Sequence, residues 1–367
     1  MIRIKDIAKE ANVSEGTVDR VIHNRGGVSK ITEEKIKKII KDNNFNLNPI
    51  ASALAMQSKY NIAVLIPEYS DADIFWKSPY LGILKGIEEI KNLGIKVNCF
   101  KFDQYNPNSY KNSFKELLKT NPSGIIFVPL FFKETNQIIN QLRKLKIKYM
   151  FLNVDIERFK NTIFIGQDSY TAGYIAGKLM HLCLPEKSTF LIIQSMHNIT
   201  DNNAISKRIE GFKDYFIRNN IKNETLNLKI ENLNDSKANR QKINSYLKLH
   251  KSINGIFVPS SRISTIVDCL IDIYLKRVQM IGFDNTPQNI DCLKNNSISF
   301  LISQKSFDQG YESIRIMKDL LLKKKLPENK IYFPIDILTK ENVMFNERNQ
   351  FVFENEISND KITVKLK

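Results

Sequence analysis

The 367-residue chain reads as an all-α helix-turn-helix headpiece, a short linker, and a two-lobed α/β domain with parallel sheets. Three observations predict this. Two short amphipathic stretches open the chain, separated by a break too brief for either to build a core alone. From Asn61 the pattern changes to apolar strand runs alternating with helical stretches. Three of those strand runs then return roughly 130 residues later, as internal repeats do.

In residues 1–46, Ile4, Ile7, Ala8 and Ala11 recur at i, i+3, i+4 and i+7, one apolar face of a helix. Asn12-Val13 breaks it. Ser14 is a good N-cap for a second helix, whose apolar face is Val18, Val21 and Ile22. A loop from Arg25 to Ser29 leads to a third helix opening at Thr32, with Glu33 and Glu34 favouring the positive end of its dipole. Its inner face is Ile36, Ile39 and Ile40, and it ends at Asn43-Asn44. The second helix of such a unit is the one that enters a DNA major groove. Residues 47–59 follow. Pro49 suits a first helical turn, and Ile50 to Ala55 make only about two turns, too few to hold alone in water.

Residues 60–345 alternate strand and helix. NIAVLIP is a buried-strand run, Tyr80 to Leu93 a helix, Ile95 to Phe102 a strand and Ser109 to Lys119 a helix. GIIFVPL, a helix from Glu134 to Leu145, and KYMFLNV complete the first series. TFLIIQS at 189 answers NIAVLIP at 61, GIFVPSS at 255 answers GIIFVPL at 124, and VQMIGFD at 278 answers KYMFLNV at 148. A near-constant offset implies two similar α/β lobes, with a ligand cleft at the C-terminal ends of their strands. Residues 346–367 are polar apart from Phe351-Val352-Phe353, and read as an added edge strand or a loose tail.

Composition narrows the function classes. No apolar run approaches 18 residues and no apolar stretch follows the first charges, so neither a membrane span nor an export signal is expected, and the expected location is the cytoplasm. Cys99, Cys183, Cys269 and Cys292 are dispersed and read as reduced thiols; they and the four histidines show no metal-ligand spacing. Neither a metal nor a cofactor is expected. The net charge is +16, but residues 1–59 hold 11 Lys/Arg against 7 Asp/Glu, leaving +12 for the rest, so charge alone argues weakly for a nucleic acid.

The stretch IKDIAKEANVSEGTVDRVIHNRGGVSKITEEKI resembles the N-terminus of the lactose-repressor (LacI) family of bacterial transcription regulators. Val13, Ser14, Thr17, Val18, Arg20 and Val21 match its V-S-x-x-T-V-x-R-V core. The likeness implies a periplasmic-binding-protein-like body crossed three times by the chain, its first lobe near 60–165 plus 306–334 and its second near 166–305 plus 335–345. It implies a homodimer on a palindromic double-stranded operator, gated by a carbohydrate-like effector. The absence of a C-terminal leucine heptad favours a dimer over a tetramer. Residues 47–59 become a hinge helix, with Leu54 wedged between base steps and Ala51 one turn earlier against the minor groove.

Within the second helix, Arg20 lies on the exposed face, where it can bind guanine O6 and N7 bidentately or hold a phosphate. Ser14 and Thr17 are short donors suited to phosphates. Glu15 and Gly16 stand where family members usually carry longer base-reading side chains; Glu15 either accepts from cytosine N4 or favours the helix N-terminus. Asp19 replaces a small hydroxyl residue. His23, Asn24 and Arg25 are backbone or edge contacts, or a solvated loop.

For the cleft, Phe75 and Trp76 (the only Trp) either stack on a sugar ring or pack in the core. By resemblance, Asn153, Arg208 in RIEGF, Asp284 in GFDN and Gln304 in LISQ take ligand positions. Ser260-Ser261 replaces an Asn-Asp pair, leaving room for a larger ligand or a water. Asp168 reads as a helix cap. A carboxylate, a guanidinium and amides together suit a neutral polyhydroxylated ligand. The competing readings are a solute-binding protein of transport or sensing with no DNA role, and an enzyme. The N-terminal motif opposes the first; the lack of a nucleophile elbow, P-loop or metal cluster opposes the second.

Overall fold

The computed structural model describes residues 4–22, 26–43, 60–71, 73–159, 162–185, 187–195, 203–322 and 327–346. By internal packing the chain divides into two compact units, residues 1–57 with 92–94, and the remainder.

The N-terminal unit contains α1 (Ile4–Ala11), α2 (Glu15–Ile22) and α3 (Lys30–Asp42). Its core is Ile7, Ala8, Ala11, Val18, Val21, Ile36 and Ile39, the residues that carry the helical periodicity. The break after α1 is a Schellman turn. Asn12 is left-handed at φ 57°, its N–H donates to Lys9 O, and the Val13 N–H donates back to Ala8 O. Asparagine suits that position because it tolerates positive φ better than most residues. Lys35 of α3 donates to Ala11 O, closing the C-terminus of α1. The third helix begins at Lys30 rather than Thr32, because Ser29 is its cap and accepts the Thr32 N–H.

The larger unit runs β1 (Tyr60–Pro67), α4 (Lys77–Ile90), β2 (Ile95–Phe102), α5 (Pro107–Leu118), β3 (Gly124–Phe127), α6 (Phe132–Lys144), β4 (Lys148–Leu152) and β5 (Ile163–Gly166). It continues with α7 (Ser169–Cys183), β6 (Thr189–Ser195), α8 (Asn203–Arg218), β7 (Glu224–Ile230), α9 (Ser236–Leu249) and β8 (Ile253–Phe257). Then come α10 (Ile263–Cys269), α11 (Asp272–Leu275), β9 (Gln279–Phe283), α12 (Pro287–Lys294) and β10 (Phe300–Ser303). Last come α13 (Ser306–Leu322), β11 (Lys330–Tyr332) and β12 (Asp336–Leu338), followed by a short 3-10 helix at Val343–Phe345.

Two six-stranded sheets result, ordered β11-β5-β4-β3-β1-β2 and β12-β10-β9-β8-β6-β7. All pairings are parallel except β10 with β12. The chain passes between the sheets after β5, after β10 and after β11. Parallel strands covered on both faces are near-continuous apolar runs, as NIAVLIP and GIIFVPL are.

The repeat seen in the sequence is also a repeat of backbone detail. Asn153 follows β4 and Asp284 follows β9, each with φ 68°. The Asn153 N–H donates to Ile165 O and the Asp284 N–H to Ile302 O. Each strand run is therefore shorter than its apolar stretch, because its last residues turn away toward the cleft. Each lobe also has one pair of helices in close approach. A Cβ on Gly82 of α4 would lie 2.0 Å from Phe307 O of α13, and one on Gly173 of α7 would lie 2.0 Å from Arg208 O of α8.

Candidate functional site

In the N-terminal unit, Ser14 Oγ accepts the Thr17 N–H and lies 2.9 Å from Thr17 Oγ1. That fixes the start of α2. Ser14, Glu15, Gly16 and Arg20 are exposed and Thr17 is half-buried, while Val18 and Val21 face inward. Ser14 precedes α2, and Glu15, Gly16, Thr17 and Arg20 lie on it; these are the five candidates that the structure describes. His23, Asn24, Arg25, Ala51 and Leu54, and the hinge segment itself, lie outside the described residues.

In the larger unit, Phe75, Trp76, Asn153, Arg208, Ser260, Asp284 and Gln304 all line one cavity of about 70 Å³ between the two sheets. Residues separated by more than 200 positions meet there because each follows the C-terminal end of a strand or sits near the start of the helix after it.

The walls are joined by hydrogen bonds across the lobes. Asn153 Nδ2 donates to Gln304 Oε1 at 3.1 Å and to Gln309 Oε1 at 3.0 Å. Gln304 Nε2 donates to Asp284 Oδ1 at 2.7 Å. The two symmetry-related residues of the repeat are thus bridged by a glutamine of the second crossover. Asn289, fully buried, donates through Nδ2 to the carbonyls of Ser261, Phe283 and Asp284, which holds the end of β9 in its turned geometry.

Arg208 enters from α8. Its Nη1 donates to Pro259 O at 3.0 Å and its guanidinium lies 3.9 Å from the centroid of the Phe283 ring. Its Nε is buried without an acceptor among the described residues. Burial lowers its pKa to about 10 while Asp284 pulls it up, so it is charged at neutral pH. Burial likewise pushes Asp284 up to about 6, against the pull of Arg208 and of the Gln304 amide. A ligand in this cavity meets a carboxylate, a guanidinium and amides of both polarities.

Phe75 and Trp76 meet edge to face, centroids 4.9 Å apart. Both line the cavity and both belong to the first-lobe core, so stacking and core packing are not exclusive roles. Trp76 is 4% exposed, and its Nε1 donates to Gln104 Oε1 at 3.3 Å. Gln104 Nε2 and Tyr105 Oη both donate to Asp73 Oδ2. Arg262 of the second lobe lies 3.8 Å from Asp73 Oδ1. Asp73, Gln104, Tyr105 and Arg262 were not singled out in the sequence. They sit on loops without periodicity, and the only available signal was their place just after a strand. Asp168 caps α7 by accepting the Thr171 N–H.

Among the described residues no group of His, Cys, Asp and Glu could hold a metal ion, and no helix is long and apolar enough to cross a membrane.

Residues 62–325 match the periplasmic binding protein domain, and residues 3–48 match the lacI family of bacterial regulatory proteins. The chain is 25% identical to the HTH-type transcriptional regulator RegA of Clostridium saccharobutylicum over 356 residues, covering 93% of this chain and 99% of RegA. It is 30% identical to catabolite control protein A of Staphylococcus aureus over 141 residues, 38% of this chain and 41% of that protein. A solved structure from Bacteroides fragilis, assigned as a LacI transcriptional regulator, superposes with TM-score 0.72 at 26% identity, over 78% of this chain and 99% of that one. In fold alone, the GanP protein of Geobacillus stearothermophilus is similar, with TM-score 0.67 at 20% identity over 77% of this chain and 98% of that one. With the periplasmic-binding-protein domain over most of its length and the lacI-family helices ahead of it, the chain belongs to the LacI family of DNA-binding transcription regulators.

Proposed function

We propose that this regulator binds a palindromic operator as a homodimer in the cytoplasm, and that a neutral polyhydroxylated small molecule, a sugar or sugar derivative, controls that binding from the cleft without being turned over. The observation that carries the reading is the single cavity in which Arg208, Asp284, Asn153 and Gln304 meet the Phe75–Trp76 pair. A sugar hydroxyl both donates and accepts. It can therefore donate a hydrogen bond to the Asp284 carboxylate and accept one from Arg208, while an aromatic ring covers the apolar face of the sugar. The ligand acts only through its different affinity for two arrangements of the protein.

Operator contact is assigned to the exposed face of α2, with Arg20 reading a base and Ser14 and Thr17 holding phosphates, and to a hinge helix in which Leu54 is the wedge. The deciding experiment follows Trp76 fluorescence through a titration with sugars and sugar phosphates, with Phe75→Ala in parallel. A saturable change that is lost in Phe75→Ala supports the assignment; a flat response across the panel removes the sugar from it. On DNA, Leu54→Gly should weaken binding to an operator selected from random duplexes while leaving effector affinity unchanged. Unchanged operator affinity in that variant removes the hinge wedge.

A further inference from the structure

The hydrogen bonds of the cleft run in one direction, and a residue behind the cavity wall sets it. Gln309, on the first turn of α13, is fully buried and is not among the residues that line the cavity. Its place is fixed from two sides. Its backbone N–H donates to Lys305 O at 3.0 Å, and the neighbouring Ser306 Oγ donates to Ser78 Oγ of α4 at 2.9 Å. A Cβ on Gly310 would stand 2.0 Å from Pro79 O, so α13 is seated too close to α4 to rotate.

The polarity follows from there. Gln309 Nε2 donates to the main-chain oxygen of Gln304 at 2.6 Å. A backbone carbonyl can only accept. The Gln309 amide must therefore point its nitrogen at that carbonyl and its oxygen at Asn153. Asn153 must answer with Nδ2, and its bonds to Gln309 Oε1 and Gln304 Oε1 use both protons. Gln304, with Oε1 taken by Asn153, turns Nε2 to Asp284 Oδ1. Reversing any one of these amides sets oxygen against oxygen, which is costly in a buried network.

We propose that Gln309 is a positioning residue that fixes the hydrogen-bond polarity of the cleft, so that an effector group meeting Asn153 must be a donor. With both Nδ2 protons used, Asn153 has only Oδ1 left for a ligand, and Oδ1 accepts. Asp284, its counterpart in the second lobe with the same φ of 68°, presents a carboxylate, which also accepts. Arg208 supplies the opposing donor. A hydroxyl or an ammonium group satisfies Asn153; a carboxylate, a phosphate or an ether oxygen does not. This narrows the effector class and rests on the cleft being the effector site, whereas the fixed polarity does not.

The test follows the Asp284 carboxylate in the effector-free full chain, by carboxyl ¹³C NMR from about pH 4 to 9, with Asp284→Asn assigning the resonance. In the parent, Gln304 can only donate to Asp284, which favours the carboxylate and gives the acid no acceptor. Gln309→Met keeps the length of the side chain and removes the fixed amide. Asn153 and Gln304 are then free to reverse, and a protonated Asp284 gains Gln304 Oε1 as its acceptor. The Asp284 midpoint should rise from about 6 to about 7, the scale of one hydrogen bond. Asn153→Leu breaks the chain at another link and should raise the midpoint likewise, which keeps the test open if Gln309→Met does not fold. The charged side chains that share the cavity, Arg208, Arg262 and Asp73, are the same in both variants. A merely structural Gln309 would lower stability and leave the midpoint in place, and an unchanged midpoint in the folded variants overturns the proposal. A raised midpoint beside a flat Trp76 response to every sugar would retain the polarity and remove the sugar.

Discussion

Asp284 has its pKa raised by burial to about 6, from the ordinary 3.8, and that gives ligand binding a pH dependence of definite sign. A ligand hydroxyl donates to the carboxylate, not to the acid. Affinity for the effector should therefore be level above neutrality and fall as pH drops through about 6, toward tenfold per unit. Folding has the opposite sign. The stabilising contribution of this raised acid is fully present below its unfolded value and is lost as pH rises through about 6. Trp76 titrations between about pH 5 and 8, beside thermal melts of the free protein, read both slopes. An effector affinity that does not change over that range shows that the carboxylate is not a ligand acceptor. In the headpiece, Arg20 is exposed on α2, and Ser14 and Glu15 are exposed at its start. Arg20→Ala should cost about 1–3 kcal/mol at a cognate site and relax preference at one base pair. Thr17→Ala should weaken all sequences alike. Anisotropy titrations on matched and single-mismatch duplexes at fixed salt separate the two.

At the scale of elements, the helix pairs hold the site. Gly173 lets α7 approach α8 at the carbonyl of Arg208, where an added Cβ would stand 2.0 Å away. Gly173→Ala must push α8 outward, with an overpacking cost of about 1–3 kcal/mol, and it moves the arginine that lines the cavity. Gly82→Ala meets a carbonyl equally closely in the first lobe, at Phe307, which does not itself line the cavity. Denaturant melts should show comparable destabilisation for both, with effector affinity lost mainly in Gly173→Ala. Equal affinity losses would mean that α8 does not position Arg208.

The elements also divide into those readable in advance and those not. Long apolar runs such as NIAVLIP, and the three helical faces of the headpiece, were legible because burial imposes their period. Helix starts were less so. α4 begins at Lys77 and not Tyr80, because Pro79 sits within the first turn, where its missing N–H costs no hydrogen bond. α5 starts at Pro107 and not Ser109, since Asn106 is its cap, and α6 starts at Phe132 and not Glu134. β5, β11 and β12, three or four residues each, were invisible because pairing with distant strands, not local pattern, makes them strands. The seven cleft candidates converge because they lie at the ends of legible elements. Asp73, Gln104, Tyr105 and Arg262 do so from loops, where type and spacing say nothing.

For the larger unit as a whole, the question is how a ligand enters. The cleft cavity is about 70 Å³, well below the ~300–1,000 Å³ of ordinary ligand pockets. Its polar walls already satisfy one another through Asn153, Gln304 and Asp284. A ligand of ordinary size can enter only when the lobes part, and parting them separates Asp73 from Arg262 and Glu157 from Lys207. Arg262 and Asp73 are both largely buried, so this pair resists opening more than a solvent-exposed one would. Binding should then be gated. In stopped-flow mixing, the Trp76 signal should develop at a rate that levels off at high effector concentration, at the opening rate of the lobes. Arg262→Gln removes the charge from one side of the mouth, and the plateau should rise several-fold. Since opening and closing both change, the equilibrium affinity should move less than the plateau does. A rate that climbs linearly with effector and is unaltered in Arg262→Gln would mean that the cleft stands open in solution and that Asp73 and Arg262 do not hold it shut.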